Sequence, residues 1–252
     1  MNILRLPLYL RTLGYFLYIV VLTIIYLAVL PLMFVKTIIL KNESVKDLFR
    51  QYNHLYGRYL IRLSWPLIRL EISGSHHIAE NQPGVIVVNH RSSLDIFFCA
   101  FCTPQNVAVF VRSWPFKIWF LNWFMRKAGY LDIEKSSFPV FLDGYGSELH
   151  KKGISFLLFP EGHRSRDGKL HNFRTGAFLL ATKYNIPIIP VSLTGTEKFL
   201  PIRDPWIRPA KIKIDILPPI FPDSFPKEKR ALKLKKHTES LLREYLNGID
   251  SQ

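Results

Sequence analysis

Histidine and aspartate can share a proton-transfer task, and the chain sets the two residue types five apart at His90 and Asp95. They lie in residues 84–95, GVIVVNHRSSLD, where a predicted buried strand leads into polar residues. On an uninterrupted helix this spacing would set the two side chains about 140° apart. If His90 ends the strand and Ser92 or Ser93 is the N-cap of a helix, Asp95 falls in the first turn and can point back toward the imidazole.

An imidazole that is hydrogen-bonded to a carboxylate keeps one tautomer and gains basicity, so the pair could take a proton from a hydroxyl near neutral pH. The chain has no G-x-S-x-G segment and no cysteine at a predicted strand end. We therefore expect the substrate to supply the attacking hydroxyl. The alternative is structural: His90 caps a turn, and Asp95 stabilises the N-terminus of the helix.

A second polar segment follows another apolar run in residues 154–168, ISFLLFPEGHRSRDG. Pro160 and Gly162 on either side of Glu161 predict a tight turn that lets a ligand approach the backbone closely. Arg164 could then present its planar guanidinium to a phosphate. The alternative is a polar surface loop with a solvated arginine.

Short apolar runs rich in β-branched residues alternate with helical stretches, which is typical of an α/β fold with a mostly parallel central sheet flanked by helices. The predicted strands are 70–73, 84–88, 107–111, 130–133, 154–159, 186–193 and 211–217. The predicted helices are 93–101, 116–127, 139–151, 175–184 and 227–246. In such folds ligands bind at the carboxyl ends of strands, and both polar segments follow a predicted strand.

The N-terminal part predicts a membrane-anchoring helical segment, because residues 12–35 are uncharged and a bilayer core needs roughly 20 apolar residues. The run is longer than the apolar part of a signal peptide, so we expect it to be retained; a buried core helix is the alternative. Pro31 can break the helix, which leaves spanning and in-leaflet arrangements open. Residues 1–69 are predicted to be anchor and connector helices, and residues 70–252 a single catalytic domain. The connector is expected to lie on lipid headgroups or in solvent.

Lys and Arg outnumber Asp and Glu by 34 to 19, a formal net charge of +15 that favours an anionic partner. Together with the anchor, this predicts an anionic membrane surface and no nucleic acid. The basic stretch 227–236 could hold the domain against acidic lipids or form a solvated helix face. Cys99 and Cys102 form a lone C-x-x-C and are predicted to be reduced core thiols, and no metal site is expected.

Taken together, the two polar segments resemble the signature blocks of the glycerolipid acyltransferases, most closely the bacterial lysophosphatidic acid acyltransferases. Asn89-His90-x4-Asp95 is similar to the first block, and residues 159–165, FPEGHRS, to the second. Residues 129–135, GYLDIEK, and 186–191, IPIIPV, resemble two weaker blocks of the family. The resemblance covers about residues 70–217 and implies a glycerol-phosphate acyltransferase-like fold.

The resemblance implies a role for each matching residue. His90 would be the general base on the acceptor hydroxyl, and Asp95 would orient it. Glu161 and Gly162 would shape the acceptor site, and Arg164 would bind the acceptor phosphate.

Two positions depart from the family pattern. His163 stands where the family usually has Thr, and Glu134-Lys135 replaces Asp-Arg. Lysine keeps the positive charge but loses the bidentate geometry of arginine, so Lys135 is a weaker candidate phosphate ligand.

The implied reaction moves a fatty acyl group from an acyl thioester to a lysophospholipid, above all lysophosphatidic acid, giving phosphatidic acid. Acyl-coenzyme A or acyl carrier protein would be the co-substrate, and no cofactor is expected. The charges that flank the anchor favour a catalytic domain facing the cytoplasm at the inner membrane. The alternatives are another lyso-lipid acceptor, a hydrolase that activates water with the same pair, and a non-enzymatic basic membrane tether.

Overall fold

The computed structural model describes residues 6–40, 44–78, 82–134, 138–202, 204 and 206–250. The strands are β1 Ile68–Ser73, β2 Val85–Val88, β3 Val107–Val111, β4 Leu131–Asp132, β5 Ser155–Leu158, β6 Ile188–Thr194 and β7 Ala210–Ile216. They form one sheet in the order β1-β7-β6-β2-β5-β3-β4. Neighbouring strands are parallel except β6 and β7, which are antiparallel. The predicted α/β class with a mostly parallel sheet is confirmed.

Each predicted strand is present, with ends displaced by at most two residues, which is within the usual uncertainty of element boundaries. The reversal at β6 and β7 was not predicted. Because β1 pairs with β7 in parallel, both strands run against the other five. The apolar pattern of a buried strand is the same in either direction, so the sequence could not indicate this.

The α-helices among the described residues flank the sheet. They match the predicted helices in number and order except for one division and one additional helix, and their ends differ by a few residues. They are α1 Leu8–Leu40, α2 Val45–Arg62, α3 Asp95–Phe98, α4 Trp119–Ala128, α5 Phe138–Asp143, α6 Tyr145–Lys151, α7 Gly176–Tyr184, α8 Thr196–Phe199 and α9 Arg230–Asp250. The predicted helix 139–151 is divided at Gly144 into α5 and α6. The one-turn helix α8 was not predicted.

Alternate residues of β2 enter two apolar cores, one on each face of the sheet, as the two-residue period of a strand requires. Ile86 and Val88 belong to the first core, and Val85 and Val87 to the second. Helices α1, α2 and α3 cover the first core, whereas α5, α6, α7 and α9 cover the second. The helical side chains are Tyr15, Ile61 and Phe98 in the first core, and Phe141, Leu149, Phe178 and Leu234 in the second. Helix α1 and helix α3, which begins with Asp95, therefore lie on the same face of the sheet.

Helix α1 has 33 residues and continues through Pro31, which does not end it. Its segment Leu8–Leu32, with a mean hydropathy of 2.5, is a candidate membrane anchor. One side of α1 nevertheless packs on the domain: Tyr15 is 4% exposed, and the hydroxyl of Thr12 accepts a 3.0 Å hydrogen bond from the backbone N–H of Ile207. The other side consists of exposed apolar residues. Helix α1 thus has one side packed against the domain and one side exposed.

The connector, predicted as a headgroup-bound or solvated helix, packs against the domain as α2. It begins with a capping box in which Ser44 and Asp47 bond each other's backbone N–H. Arg50 is only 2% exposed and donates to the carbonyl of Ala128 at 2.9 Å and to the side-chain oxygen of Asn106 at 2.6 Å. A buried arginine needs such partners. These contacts attach α2 to the rest of the fold, and a domain boundary at residue 69 stays a prediction.

Candidate active site

The two polar segments leave neighbouring strands at the same edge of the sheet. Strands β2 and β5 are parallel and adjacent, so the segments that follow Val88 and Leu158 begin side by side. The carboxyl edge of a parallel sheet is where α/β folds bind ligands. The prediction that each polar segment follows a strand is confirmed.

Asn89 carries the chain out of the sheet. Its amide nitrogen donates to the carbonyl of Leu193 at 2.9 Å, and its amide oxygen accepts from the N–H of Leu193 at 2.7 Å. The side chain is fully enclosed, with 1% of the residue exposed. Asn89 therefore replaces a strand's backbone pairing with β6 at the point where the next residue, His90, turns away.

His90 and Asp95 are in direct contact. The imidazole Nδ1 lies 2.8 Å from the carboxylate Oδ2 of Asp95, and that oxygen also accepts the backbone N–H groups of Arg91 at 2.7 Å and Ser92 at 2.8 Å. Asp95 is completely buried, whereas a fifth of the His90 side chain is exposed. The buried carboxylate is fixed by three donors, and it holds an imidazole that remains accessible.

The local geometry differs from the predicted cap. The N-cap of α3 is Leu94, with no side-chain hydrogen bond, rather than Ser92 or Ser93. Asp95 lies in the first helical turn, as predicted, and is the first residue of the helix; its carboxylate reaches back to the N–H groups before the helix. The carboxylate orders the turn before the helix, because it accepts the backbone N–H groups of Arg91 and Ser92 in that turn.

Phe159 was not predicted to belong to the site. Its ring stacks on the His90 imidazole with centroids 4.2 Å apart and planes inclined by 23°. Together with the bond to Asp95, this contact restrains the orientation of the imidazole. Its position as the last apolar residue before Pro160 was the available signal.

Glu161 is 3% exposed and binds backbone rather than facing the solvent. Its Oε1 accepts from the N–H of His90 at 2.8 Å, and its Oε2 accepts from the N–H of His171 at 2.9 Å. Burial raises the pKa of Glu161 above its usual value, although both backbone bonds act in the opposite direction. The carboxylate thus ties the second polar segment to the first.

Two further contacts join the segments. The N–H of Ser165 donates to the carbonyl of His90 at 2.7 Å, and Arg164 Nη1 donates to Ser93 Oγ at 2.5 Å. The Arg164 side chain is therefore held beside the turn that carries Asp95.

Gly162 has a φ of 77°, and a Cβ there would lie 2.6 Å from Arg174 Nε. The positive φ disfavours a side chain at residue 162, and a Cβ there would also displace the Arg174 side chain.

Lys135 lies outside the described residues, so its predicted contact with phosphate stays a prediction. The preceding residue, Glu134, accepts a 2.6 Å hydrogen bond from Nε of Arg112, which follows β3 at the same edge of the sheet. This ion pair lowers the pKa of Glu134. In the sequence, the signal for Arg112 is its place after a predicted strand.

A cavity of about 340 Å³ adjoins the second segment and was also not predicted. Arg91, Arg166 and Glu197 contribute its charged side chains, and Arg91 Nη1 lies 3.6 Å from Glu197 Oε1. The cavity brings together side chains from both polar segments and from α8.

Cys99 and Cys102 are free and buried, as predicted for core thiols. Burial raises the pKa of the Cys99 thiol well above its usual value, which disfavours the nucleophilic thiolate. Within the described residues, no group of three or more His, Cys, Asp or Glu side chains is placed to hold a metal ion.

The arrangement is suited to one kind of chemistry. An imidazole fixed at Nδ1 by a carboxylate can accept a proton at Nε2 and return it. Arg164, on the exposed side, offers a cation for an anionic group nearby.

Residues 69–194, half of the chain, match the family model described as Acyltransferase. The chain belongs to the acyltransferase family. The matched region begins within β1, ends with β6, and contains both polar segments.

Curated members of the acyltransferase family resemble the chain over part of their length. A chloroplastic 1-acyl-sn-glycerol-3-phosphate acyltransferase of Brassica napus is 32% identical over 60% of this chain and 45% of the relative. A 1-acyl-sn-glycerol-3-phosphate acyltransferase of Limnanthes douglasii is 30% identical over 71% of this chain and 63% of the relative. The human alpha form is 26% identical over 63% of this chain and 59% of its own length. The aligned region thus spans about half to under two thirds of these relatives.

A solved structure shares the whole fold. The crystal structure of the 1-acyl-sn-glycerophosphate acyltransferase of Thermotoga maritima superposes with a TM-score of 0.77 over 98% of this chain and 99% of that one. The two sequences are 23% identical, so this match shows a common fold. The common fold includes the N-terminal helices, since nearly all of the chain is covered.

Proposed function

We propose that this chain transfers a fatty acyl group from an acyl thioester to the free hydroxyl of lysophosphatidic acid, giving phosphatidic acid. Acyl-coenzyme A or acyl carrier protein delivers the acyl group, and no further cofactor takes part. The observation that carries the proposal is the 2.8 Å contact between His90 Nδ1 and Asp95 Oδ2, beside Arg164. Membership of the acyltransferase family and the names of the curated relatives support it.

In the proposed mechanism, His90 is the general base and Asp95 orients it. Asp95 keeps the proton on Nδ1, so Nε2 is free to take the proton of the acceptor hydroxyl. The acceptor oxygen attacks the carbonyl carbon of the thioester, the carbon–sulfur bond breaks, and the departing thiolate recovers the proton from Nε2. A positioned base of this kind contributes about 10²- to 10⁴-fold in rate.

The acceptor is recognised through its phosphate. Arg164 has a planar guanidinium that suits phosphate oxygens, and its contact with Ser93 holds it next to the base. Glu161 and Gly162 shape this part of the site, since one ties the turn to His90 and the other permits its backbone. Lys135 is proposed as a second cation for the phosphate.

One observation favours a second acceptor, another lyso-lipid such as lysophosphatidylethanolamine. The carboxylate of Glu134 pairs with Arg112, so the charge of that arginine is neutralised at the edge where the acceptor would bind. A phosphomonoester carries a charge of about −1.5 to −2 at neutral pH and requires more positive charge than a phosphodiester. The acceptor panel described below separates the two substrates.

We further propose that the enzyme works at the inner membrane with its catalytic domain facing the cytoplasm. The apolar segment Leu8–Leu32 of α1 supports membrane attachment, and the basic residues that flank it support the orientation. An acceptor that resides in the bilayer would then reach the site without leaving the lipid phase.

The test is transfer of labelled acyl groups from acyl-coenzyme A and from acyl carrier protein to lysophosphatidic acid and lysophosphatidylethanolamine in detergent micelles. We expect labelled phosphatidic acid, and a kcat about 10²-fold or more lower for His90→Ala. His237→Ala, on α9 and exposed, is the matched control and should keep full activity. Label recovered as free fatty acid would identify a hydrolase. No acylated lipid from either donor, or an active His90→Ala, would show that the mechanism is wrong.

A further inference from the structure

Helix α4 presents an exposed stripe that the proposed reaction does not use. The stripe contains Trp119, Asn122, Trp123, Arg126 and Lys127. Their spacing of three, four, seven and eight residues puts them on one side of the helix. Trp119 is 83% exposed and Trp123 43%. The five residues line a groove of about 470 Å³.

The opposite side of α4 packs beside the candidate anchor. Phe124 lies with its ring 5.5 Å from that of Tyr26 on α1, and Ala128 belongs to the same small core as Tyr26 and Phe49. Trp123 makes an edge contact with Phe49 of α2 at 5.5 Å. The exposed stripe is therefore continuous with the helices that lie on the anchor side of the sheet.

The chemistry of the stripe is suited to a lipid–water boundary. Tryptophan has an apolar ring with one polar N–H and is enriched at the headgroup level of membranes. Arg126 and Lys127 add two cations, and the sequence of α4, WFLNWFMRKA, contains no acidic residue. Arg126 Nε donates to Asn122 Oδ1 at 2.7 Å, which keeps the guanidinium on the stripe.

We propose that this stripe of α4 docks on an anionic bilayer surface next to α1 and forms a second membrane contact of the domain. Trp119 and Trp123 enter the headgroup boundary, and Arg126 and Lys127 contact lipid phosphates. The contact would fix the rotation of the domain about α1, which one helix alone leaves free. The proposal does not depend on the acyl-transfer reaction.

Helix α9 offers an internal comparison. It also carries exposed basic residues, among them Lys233 and Lys236, but it covers the second core on the opposite face of the sheet from α1. A bilayer that holds the exposed side of α1 and the stripe of α4 therefore does not reach α9. The two basic helices should behave differently on the same vesicles.

The experiment uses the full chain with a fluorophore attached to a single introduced cysteine, because native Cys99 and Cys102 are each only 1% exposed. Asn122→Cys labels the stripe and keeps both tryptophans and both cations, although it removes the hydrogen bond from Arg126 to Asn122. Lys236→Cys is the control on α9. The protein is bound to phosphatidylglycerol–phosphatidylcholine vesicles that contain a lipid with a nitroxide near the headgroup. We expect quenching of the label at residue 122 and none at residue 236.

A charge series tests the role of the cations. Arg126→Gln with Lys127→Gln should weaken docking by about fivefold for each cation removed. Replacing phosphatidylglycerol by phosphatidylcholine should also weaken docking, because it removes the anionic surface. Lys233→Gln with Lys236→Gln removes the same net charge and should leave quenching at residue 122 unchanged. Equal quenching at residues 122 and 236, or quenching that ignores both charge changes, would contradict the proposal. If the label at residue 122 became more shielded from water as the protein concentration rose at fixed lipid, the stripe would be in contact with a second copy of the chain, and the proposal would be wrong.

Discussion

Replacing Asn89 with leucine should weaken the fold at the point where it positions the base. Leucine has nearly the same size but can form neither hydrogen bond with Leu193. The N–H and carbonyl of Leu193 would then be left in the interior without partners, since Asn89 is 1% exposed and bonds both at 2.7 and 2.9 Å. Each unsatisfied buried group costs about 1–3 kcal/mol, so we expect a loss of about 2–6 kcal/mol in the free energy of unfolding.

The assay is urea denaturation together with kcat measured on the same preparation. A single domain has a stability of about 5–15 kcal/mol, so Asn89→Leu should remain folded at low denaturant when the wild-type stability exceeds about 6 kcal/mol. We expect kcat to fall as well, because the residue that follows is His90. Asn172→Leu, whose side chain is exposed, is the matched control and should change the free energy of unfolding by at most about 0.5 kcal/mol.

Asn89→Asp separates the two hydrogen bonds. The new carboxylate can still accept from the N–H of Leu193, but its second oxygen faces the carbonyl oxygen of Leu193 unless it carries a proton. Its destabilisation relative to the wild type should therefore shrink as the pH falls. Two results would refute the proposed role of the two Asn89 hydrogen bonds with Leu193. One is a loss of less than about 0.5 kcal/mol in the free energy of unfolding for Asn89→Leu. The other is a destabilisation of Asn89→Asp that does not depend on pH.

Three other outcomes follow from the same geometry. Asp95→Asn should lower kcat by about 10²- to 10⁴-fold with a small change in KM, because the imidazole loses its charged partner; an unchanged kcat measured with saturating acceptor would refute this. Gly162→Ala should be destabilised in urea more than Gly168→Ala, since both residues have a positive φ but only Gly162 would meet Arg174, and equal losses would exclude that clash. Because burial raises the folded-state pKa of Glu161 above 4.5, its contribution to stability is greatest below pH 4.5 and declines as the pH rises through the raised value. The stability of the wild type relative to Glu161→Gln should therefore decline as the pH rises. A stability that increased with pH would show that the folded-state pKa of Glu161 is lowered rather than raised.

The sequence predicted the sheet well because each strand is a short apolar run bounded by polar or turn residues, and such runs have few alternatives in an α/β protein. Direction was not predictable, since the antiparallel pairing of β6 with β7 depends on how the chain crosses the sheet. Helix ends were less reliable than strands. The division at Gly144 and the packing of α2 depend on contacts with distant residues.

Within the site, the contact of His90 with Asp95 could be predicted from spacing and a turn. The links between the two polar segments could not. The stacking of Phe159 on His90 and the hydrogen bond from the N–H of His90 to Glu161 join residues that are about seventy positions apart in the chain. Such pairs become visible only when the strands that carry them are placed side by side.

The packing of α1 also limits how this protein can be engineered or can evolve. Thr12 and Tyr15 belong to the folded domain as much as any strand residue does, because one binds the backbone of Ile207 and the other is enclosed beside Phe199. A chain shortened to improve solubility would uncover a strip of its own interior. An unrelated membrane helix grafted in place of α1 would attach the enzyme to lipid but would leave that strip unmatched. Helix α1 is therefore not an exchangeable module, and its sequence should vary together with the surface beneath it.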